Sequence, residues 1–279
     1  MEEVRDRDLG TTRFARREAE SHGTRDADDM TPPAPDTKPI QLSVVVPAFK
    51  EADTIQEALN RLIVALDDLS LDYEVIVVSD GNTDGTEERA SEVGSHRVRI
   101  EHYEPNRGKG FALKHGASLA TGEVVVFIDA DLDIHPDGIA TLLALLRSSG
   151  SDAVVASKVH PSSNVAYPLF RRMQSSVLRL LVRVLFDLDI SDTQTGLKVF
   201  RRPVLDACLP LVNSTGFAFD LELLVHANDA GFTVIEGPLD LDFRFSSTTG
   251  GAAVVAVLRD LLSLRRRRAS GRRSGTWLA

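Results

Sequence analysis

The sequence contains few of the features that mark secreted or membrane-spanning proteins. Cys208 is the single cysteine among 279 residues, which excludes an intrachain disulfide and fits a reducing compartment. No N-terminal apolar stretch resembles a signal peptide, and no hydrophobic run is long enough to span a bilayer. We therefore expect a cytoplasmic protein in which Cys208 is a buried apolar residue rather than a nucleophile.

The net charge and the absence of certain motifs argue against several classes of function. The formal net charge of −9 argues against nucleic acid as a partner. The sequence has no Gly-Lys-Ser/Thr motif of the kind found in ATPases. The histidines of the predicted domain do not show the spacing of zinc ligands, which argues against a zinc enzyme: His96, His102, His115, His135, His160 and His226.

Composition divides the chain into three parts. Residues 1–38 are charged, poor in large apolar side chains and rich in proline near their end, and are predicted to be a disordered tail. Residues 39–265 form the expected folded domain, and residues 266–279 a basic C-terminal tail. With 43% apolar residues, the chain suits an α/β protein with a sizeable core.

Apolar runs and helical patterns alternate along the predicted domain. Strands are predicted at 42–46, 73–78, 98–103, 124–128, 153–157 and 233–236, and helices after the first four of them and at 219–230. The apolar segment 177–188, with polar residues Arg179, Arg183 and Asp187, is either a core helix or a helix facing a lipid or partner. The pattern predicts a mostly parallel open sheet with helices on both faces.

Two carboxylates mark the end of the fourth predicted strand. Asp129 and Asp131 directly follow the apolar run 124–128. Hard divalent cations prefer carboxylate oxygens and often bind together with substrate phosphates. Because ligands of open α/β sheets bind beyond the carboxyl ends of strands, we predict a metal–nucleotide site here. The alternative is a solvated acidic turn.

Other polar residues follow neighbouring strands. Residues 47–51 follow the first predicted strand and Asp80 the second. Together with Asp129 and Asp131 after the fourth, three strand ends converge on one edge of the sheet. The loop Asn106–Gly110 is basic, glycine-rich and opens a helix, an arrangement that can approach phosphates through backbone N–H groups. The alternative for this loop is an ordinary exposed turn.

These segments resemble the successive blocks of family 2 glycosyltransferases with the GT-A fold. The blocks are residues 44–51, 79–86, 106–110 and 129–131. Residues 192–200 and 217–224 are similar to the polyprenyl- and dolichyl-phosphate sugar synthases, closest to the dolichyl-phosphate β-glucosyltransferase branch, with the mannosyltransferase branch nearby. The resemblance covers about residues 40–265 and implies a Rossmann-like nucleotide-binding half.

The resemblance implies a role for individual residues. Pro47, Ala48 and Glu51 should contact the nucleotide, Asp80 should hold the base, and Lys109 should lie near the donor. A cation, Mg²⁺ or Mn²⁺, should be bound by Asp129 and Asp131 with Gln194, while Asp192 and Gln194 approach the sugar. The acceptor phosphate should meet Lys158, Arg171 and Ser175, where lysine at 158 replaces the arginine of mannosyl relatives.

The implied reaction is inverting transfer of a hexose from UDP-glucose or GDP-mannose to a polyprenyl or dolichyl phosphate. A phosphate acceptor is already anionic and needs no strong base. Two alternatives remain open. One is transfer to a sugar hydroxyl, with Asp220 or another carboxylate as base, and the other is a nucleotide-sugar-binding scaffold without turnover. If the acceptor is a lipid phosphate, Asp220 and Glu222 are expected to be structural or to position the sugar.

The C-terminal segment suggests how the protein meets a membrane. Apolar residues recur at helical spacing and lead into four arginines at 265–268: Val254, Val257, Leu258, Leu261, Leu262 and Leu264. An apolar face followed by a basic cluster suits peripheral binding to the anionic inner face of a membrane. The alternative is a terminal helix packed on the domain with a solvated basic tail.

Overall fold

The computed structural model describes residues 40–131, 133–163, 182–216, 218–239, 259 and 261–270. All of them belong to one unit, Lys38–Ala279. The predicted tail, residues 1–38, lies outside the described residues, as do Arg171, Ser175 and Arg179.

A seven-stranded sheet forms the centre of the domain. Its strands are β1 (Leu42–Ala48), β2 (Tyr73–Asp80), β3 (Val98–Tyr103), β4 (Val124–Phe127), β5 (Ala153–Ala156), β6 (Lys198–Arg201) and β7 (Val234–Gly237). Their order is β3-β2-β1-β4-β6-β5-β7, and all neighbours are parallel except that β6 runs antiparallel to β4 and β5. The mostly parallel α/β sheet is confirmed, and the reversed strand β6 was not predicted.

The helices connect these strands and cover the sheet. They are α1 (Ile55–Asp67), α2 (Thr86–Ser91), α3 (Lys109–Leu119), α4 (Gly138–Ser149), α5 (Arg202–Cys208) and α6 (Ala218–Asp229). Thr54 stands at the N-cap of α1, but its hydroxyl makes no cap bond and donates to Glu51 instead. The predicted helices at these places are confirmed, with ends shifted by a few residues.

The central strands of the sheet are buried on both faces, which explains why β1, β2, β4 and β5 are continuous apolar runs rather than alternating ones. Side chains of one strand divide between two cores: Val45 faces the core that contains α3, α5 and α6, while Val44 and Val46 face the core that contains α1 and α4. Helices on both faces, as predicted, therefore follow from the apolar composition of the central strands.

The connections place a crevice beside β1. The chain runs outward from β1 to β2 and β3, and then returns to β4 on the other side of β1. Such a reversal of strand order leaves a gap above the carboxyl ends of the strands, where ligands of open sheets bind. Pro47 and Ala48 end β1, Asp80 ends β2, and Asp129 follows β4 at this edge.

Helical residues 182–186 are the described part of the apolar segment 177–188. Val182 and Phe186 are buried in the core, whereas Arg183 and Val184 are exposed, Val184 by 73% of its surface. A core helix packed on nearly all sides is therefore wrong for these residues, because one side is open to solvent. That this side faces a lipid or a partner stays a prediction.

The C-terminal helix extends beyond the predicted domain boundary. Residues 261–270 are helical, with Leu261 and Leu264 buried in the core, Leu262 exposed, and Arg267 and Arg268 paired with residues of α6. Residues 266–270, beyond the predicted boundary at residue 265, thus continue this helix, and two of their arginines pair with buried carboxylates. Within the described ranges, no helix is long and apolar enough to cross a membrane.

A glycine allows α3 to pack closely on the sheet, which gives a test of this core. A Cβ on Gly116 would lie 2.4 Å from Val45 Cγ1 and 3.0 Å from Val78 Cγ2. We expect Gly116→Ala to lower the free energy of unfolding by about 1–3 kcal/mol, since overpacking outweighs the gain in helix propensity. Urea unfolding measures this change. Ser118→Ala, at an exposed position of the same helix, should be close to neutral, and equal midpoints for the two variants would contradict the close contact.

Candidate active site

Asp80 organises the glycine-rich loop. Its carboxylate is 2% exposed and accepts hydrogen bonds from the backbone N–H groups of Arg107, at 2.6 Å, and Gly108, at 2.8 Å. The side-chain amide of Asn106 donates to the backbone carbonyl of Asp80 at 2.9 Å. Both carboxylate oxygens thus bind the loop within the protein, so a nucleotide base would have to share them.

The start of α3 is capped by a loop from later in the chain. The carbonyl oxygen of Thr215 accepts hydrogen bonds from the N–H groups of Gly110, at 2.7 Å, and Phe111, at 3.3 Å. A Cβ on Gly108 or Gly110 would lie within 3 Å of this oxygen, so the two glycines permit the contact. Four N–H groups of the loop and helix start therefore bind protein oxygens, and phosphate binding by this loop stays a prediction.

Lys109 provides the positive charge of this loop. Its ammonium lies 2.5 Å and 2.7 Å from the two carboxylate oxygens of Asp129. Burial lowers the pKa of Lys109, but the charges of Asp129 and Asp220 more than offset this effect and hold the pKa above its ordinary value. Lys109 is therefore a fixed cation directly beside the first of the two strand-end carboxylates.

Asp131 is surrounded by other acidic residues. Burial, followed by the charge of Asp129, raises the pKa of Asp131 to about 6, and Asp133 and Glu51 add further repulsion. Its side chain remains open to solvent. A partly exposed carboxylate with surplus negative charge around it is well suited to meet a cation.

The segment 191–196 is held against the same edge. Glu236 on β7 accepts hydrogen bonds from the N–H groups of Ser191 and Asp192 and from the Ser191 hydroxyl. The Asp192 carboxylate accepts from the backbone N–H of Lys158 at 3.2 Å. A Cβ on Gly196 would lie 2.2 Å from Asp129 Oδ2, so the segment packs directly on that carboxylate. Asp192 is thus bound to the backbone of Lys158, and Gly196 of the same segment lies against Asp129.

The remaining predicted residues vary in how they are placed. Glu51 donates its N–H to the Thr86 hydroxyl at 2.9 Å and accepts from the Thr54 hydroxyl at 2.6 Å. Pro47 and Ala48 form the end of β1, with Ala48 buried. Gln194 is exposed at the surface of the segment, and Arg171 lies outside the described residues.

Two carboxylates on α6 are bound by cations. Asp220 is 6% exposed and its Oδ1 lies 2.8 Å from the ammonium of Lys198, which is itself buried. Glu222 is fully buried, and its Oε2 accepts from Arg267, at 3.0 Å, and from the N–H of Ser214, at 2.8 Å. Each carboxylate is therefore bound to a cation through one of its oxygens.

Sequence reasoning missed Glu236, Gly196, Thr215 and Lys198, which hold the predicted residues in place. Each acts across a tertiary contact with a residue far away in the sequence, so no local spacing identifies it. Gly196 and Lys198 lie inside the block 192–200, which was identified by resemblance. That block does not indicate that Gly196 contacts Asp129 or that Lys198 pairs with Asp220.

Asp129 and Asp131 can hold a divalent cation only if substrate phosphates or waters complete its coordination. Among the described residues, no group of three or more acidic, histidine or cysteine side chains is arranged to hold a metal. Mg²⁺ commonly binds through one or two carboxylates and substrate phosphates, and keeps several waters. Asp131, open to solvent and repelled by its neighbours, fits that mode, with Asp129 beside it.

Repulsion at Asp131 predicts a stability change that depends on pH. Above pH 6 the carboxylate is charged in both the folded and unfolded chain, and the fold carries the repulsion. Below its ordinary pKa of 3.8 it is protonated in both. In metal-free buffer, Asp131→Asn should therefore raise the free energy of unfolding at pH 8, by up to about 1 kcal/mol because solvent screens the partly exposed group.

The advantage of Asp131→Asn should shrink as the pH falls from 6 to 4, as measured by thermal unfolding across that range. Asp206→Asn, which neutralises an exposed carboxylate on α5, is the control and should show no such trend. A destabilised Asp131→Asn protein at pH 8 would contradict the repulsion.

Relatives of known structure share this fold. Glucosyl-3-phosphoglycerate synthase from Mycobacterium tuberculosis, in complex with Mn²⁺, UDP and phosphoglyceric acid, matches with a TM-score of 0.65 and 26% identity, over 81% of this chain and 78% of that one. The same synthase with Mg²⁺ and UDP matches with a TM-score of 0.64 and 26% identity, over 81% of this chain and 79% of that one.

Curated relatives extend the likeness to longer proteins. Glycosyltransferase AglD of Haloferax volcanii is 32% identical over 85% of this chain and 38% of its own length. Dolichol-phosphate mannosyltransferase of Pyrococcus furiosus is 27% identical, over 81% of this chain and 64% of its own length. The chain thus spans less than two thirds of the length of either relative.

The family model "Glycosyl transferase family 2" matches residues 43–209, which is more than half of the chain and includes β1 through α5. The match contains the strand ends that carry Asp80, Asp129 and Asp131, and the reversed strand β6 that brings Lys198 to Asp220. The chain therefore belongs to glycosyl transferase family 2 and has the GT-A fold.

Proposed function

We propose that this protein transfers a hexose from a nucleotide sugar to a polyprenyl phosphate, with inversion at the anomeric carbon. The observation that carries this proposal is the state of the carboxylates on α6: Lys198 binds Asp220, while Arg267 and Ser214 bind Glu222. A hydroxyl acceptor needs a base to take its proton, whereas a phosphate acceptor is already anionic. The site thus favours an acceptor that needs no deprotonation.

The donor would occupy the crevice beside β1. Pro47, Ala48, Glu51 and Asp80 border the place expected for the nucleotide, and Asp129 and Asp131, with Gln194, would hold Mg²⁺ or Mn²⁺. The cation would neutralise charge on the diphosphate and so make it a better leaving group. Lys109 adds a fixed positive charge beside Asp129, at 2.5 Å.

The acceptor would approach from the side of Lys158 and Arg171. A phosphate oxygen of the lipid attacks the anomeric carbon, the bond from that carbon to the diphosphate breaks, and the nucleoside diphosphate leaves. Asp192, held by Glu236 and by the N–H of Lys158, would orient the sugar. Since no proton must be removed, positioning and charge neutralisation carry the catalysis.

The names of the relatives support a lipid-phosphate acceptor. The Pyrococcus furiosus protein is a dolichol-phosphate mannosyltransferase, and an undecaprenyl-phosphate 4-deoxy-4-formamido-L-arabinose transferase of Salmonella choleraesuis is 29% identical over 62% of this chain and 53% of its own length. UDP-glucose is our first choice of donor and GDP-mannose the second. Structures of the mycobacterial synthase with UDP-glucose agree with the first choice.

A hydroxyl acceptor is the second candidate, favoured by the mycobacterial glucosyl-3-phosphoglycerate synthase, whose structures contain phosphoglyceric acid. Such a reaction here would require Asp220 to leave Lys198, or another carboxylate to act as base. The 2.8 Å contact in a buried setting makes that release costly. The phosphate acceptor is therefore the stronger proposal.

Peripheral contact with a membrane would bring the lipid substrate to the site. On the C-terminal helix, Arg259, Leu262, Arg265 and Arg266 are exposed, while Leu261 and Leu264 are buried. An outward face with three arginines and one leucine suits the anionic inner surface of a membrane. The inner face of the same helix is already bound to the domain.

An extraction assay tests the reaction. Purified protein is incubated with a polyprenyl phosphate, Mg²⁺ or Mn²⁺, and labelled UDP-glucose or GDP-mannose in parallel. We expect label to enter the organic phase with one donor, and Asp131→Ala to reduce that transfer by at least about a hundredfold, because the cation site is lost.

Asp206→Ala removes an exposed carboxylate elsewhere and should leave transfer unchanged. Nucleotide binding without label in the lipid would refute the lipid-phosphate acceptor. Label in a sugar or glycerate product would support the hydroxyl acceptor, and no product with any acceptor would support a binding scaffold.

Lys158 tests the side from which the acceptor approaches. Its ammonium would bind the lipid phosphate as a point charge. We expect Lys158→Ala to raise KM for polyprenyl phosphate about tenfold while the Kd for the nucleotide stays within about twofold. Arg147→Ala, at an exposed position of α4, is the control for loss of one positive charge. A selective loss of nucleotide affinity would place Lys158 on the donor side instead.

A further inference from the structure

Two adjacent arginines of the C-terminal helix bind two carboxylates of α6. Arg267 Nη2 lies 3.0 Å from Oε2 of the fully buried Glu222. Arg268 forms a two-pronged pair with Asp229, in which its Nε lies 2.8 Å from Oδ2, and both side chains are nearly buried. The two pairs fix the same helix at points seven residues apart on α6.

The Arg267 pair continues to the glycine-rich loop. Arg267 Nη2 also donates to the Ser214 hydroxyl at 3.1 Å, and Glu222 Oε2 accepts from the Ser214 N–H at 2.8 Å. The next residue, Thr215, caps the start of α3 through its carbonyl oxygen. Arg268 instead contacts Asp229 and the carbonyl of Leu185, on the side away from that loop's hydrogen bonds.

The loop cannot adjust freely to a movement of Thr215. Gly108 and Gly110 leave no room for even a Cβ against the Thr215 carbonyl, and Gly110 is also packed against Phe219. Lys109 lies between these two glycines and reaches Asp129. A shift of residues 214–215 would therefore be transmitted to the ammonium beside the strand-end carboxylates.

We propose that Arg267 is a positioning residue of the donor site: it holds Glu222 and Ser214 so that Thr215 caps α3 and Lys109 stays against Asp129. Arg267 touches neither donor nor acceptor. The inference rests on the proposed function, because it assigns Lys109 and its loop to the donor. It gives a role to an arginine that the sequence places in a basic run at the chain's end.

The charge of Arg267 explains why the pair matters. A buried carboxylate that loses its cation is destabilised, and it must turn towards water or take up a proton. Either change weakens its hydrogen bond with the Ser214 N–H, and the loss of Arg267 also removes the bond to the Ser214 hydroxyl. Residues 214–215 would then lose two of the contacts that hold them.

The test compares Arg267→Ala, Arg267→Lys and Arg268→Ala in the full chain. We measure the Kd for UDP and for GDP with Mn²⁺ by calorimetry, steady-state kcat and KM for the donor, and Tm. Arg267→Ala should weaken nucleotide binding and lower kcat/KM about tenfold or more, since small displacements of positioning groups are costly. Arg267→Lys should restore part of the loss.

Arg268→Ala is the matched control, since it removes an ion pair between the same two helices that is at least as buried. It should lower Tm at least as much as Arg267→Ala while nucleotide affinity stays within about twofold. If nucleotide affinity falls equally in the two variants, Arg267 is only structural and the proposal is overturned.

Amide hydrogen exchange measures the coupling between Arg267 and the start of α3 without any ligand. The N–H groups of Gly110 and Phe111 bond to Thr215, so Arg267→Ala should speed exchange in residues 106–112 and Arg268→Ala should not. Unchanged exchange there would overturn the proposal. If wild-type protein binds no nucleotide but exchange responds as expected, the proposed function fails and the coupling stands.

A double-mutant cycle tests whether Arg267 acts through Glu222. Glu222→Gln removes the buried charge and keeps an oxygen that can accept from the Ser214 N–H. In that background, Arg267→Ala should cost much less nucleotide affinity than it does in the wild type. An equal cost in both backgrounds would show that Arg267 does not act through Glu222.

Discussion

The site depends on a row of alternating charges beneath the carboxyl edge of the sheet. Asp129 pairs with Lys109 at 2.5 Å, Asp220 pairs with Lys198 at 2.8 Å, and the charge of Asp220 also raises the pKa of Lys109. Buried charges are tolerated only when each has a partner with good geometry. This requirement fixes α3, β6 and α6 relative to β4, and leaves Asp131 with repulsion from its acidic neighbours.

Much of this arrangement was readable from the sequence, because strand ends are local features. The apolar run before Asp129 and Asp131 predicts both the buried strand and the edge at which they emerge, and alternating elements predict the mostly parallel sheet. Gly108 and Gly110 indicate that another group approaches the backbone of the loop closely, but they do not indicate which group it is. The structure shows that the neighbour is the carbonyl of Thr215, which binds the N–H groups of Gly110 and Phe111, while the side chain of Lys109 pairs with Asp129.

What the sequence could not provide are partners chosen by tertiary packing. Strand β6 is four residues long and antiparallel to β4 and β5. Its sequence, Lys-Val-Phe-Arg, is too short and too polar for its pattern to predict a strand. Glu236 holds Ser191 and Asp192 from more than forty residues away. Arg267 and Arg268 belong to a run that composition alone assigns to a solvated tail, yet buried carboxylates on α6 bind both.

The two faces of the C-terminal helix connect these observations. Its inner face anchors α6 through Arg267 and Arg268, and its outer face exposes Arg259, Leu262, Arg265 and Arg266. In a protein that acts on a lipid phosphate, the element that meets the membrane would then be the element that holds Glu222 and, through residues 214–215, the start of α3. An anionic surface that bound the outer face would act on the same segment whose inner face holds Glu222, so it would also stabilise the docked arrangement of the donor loop.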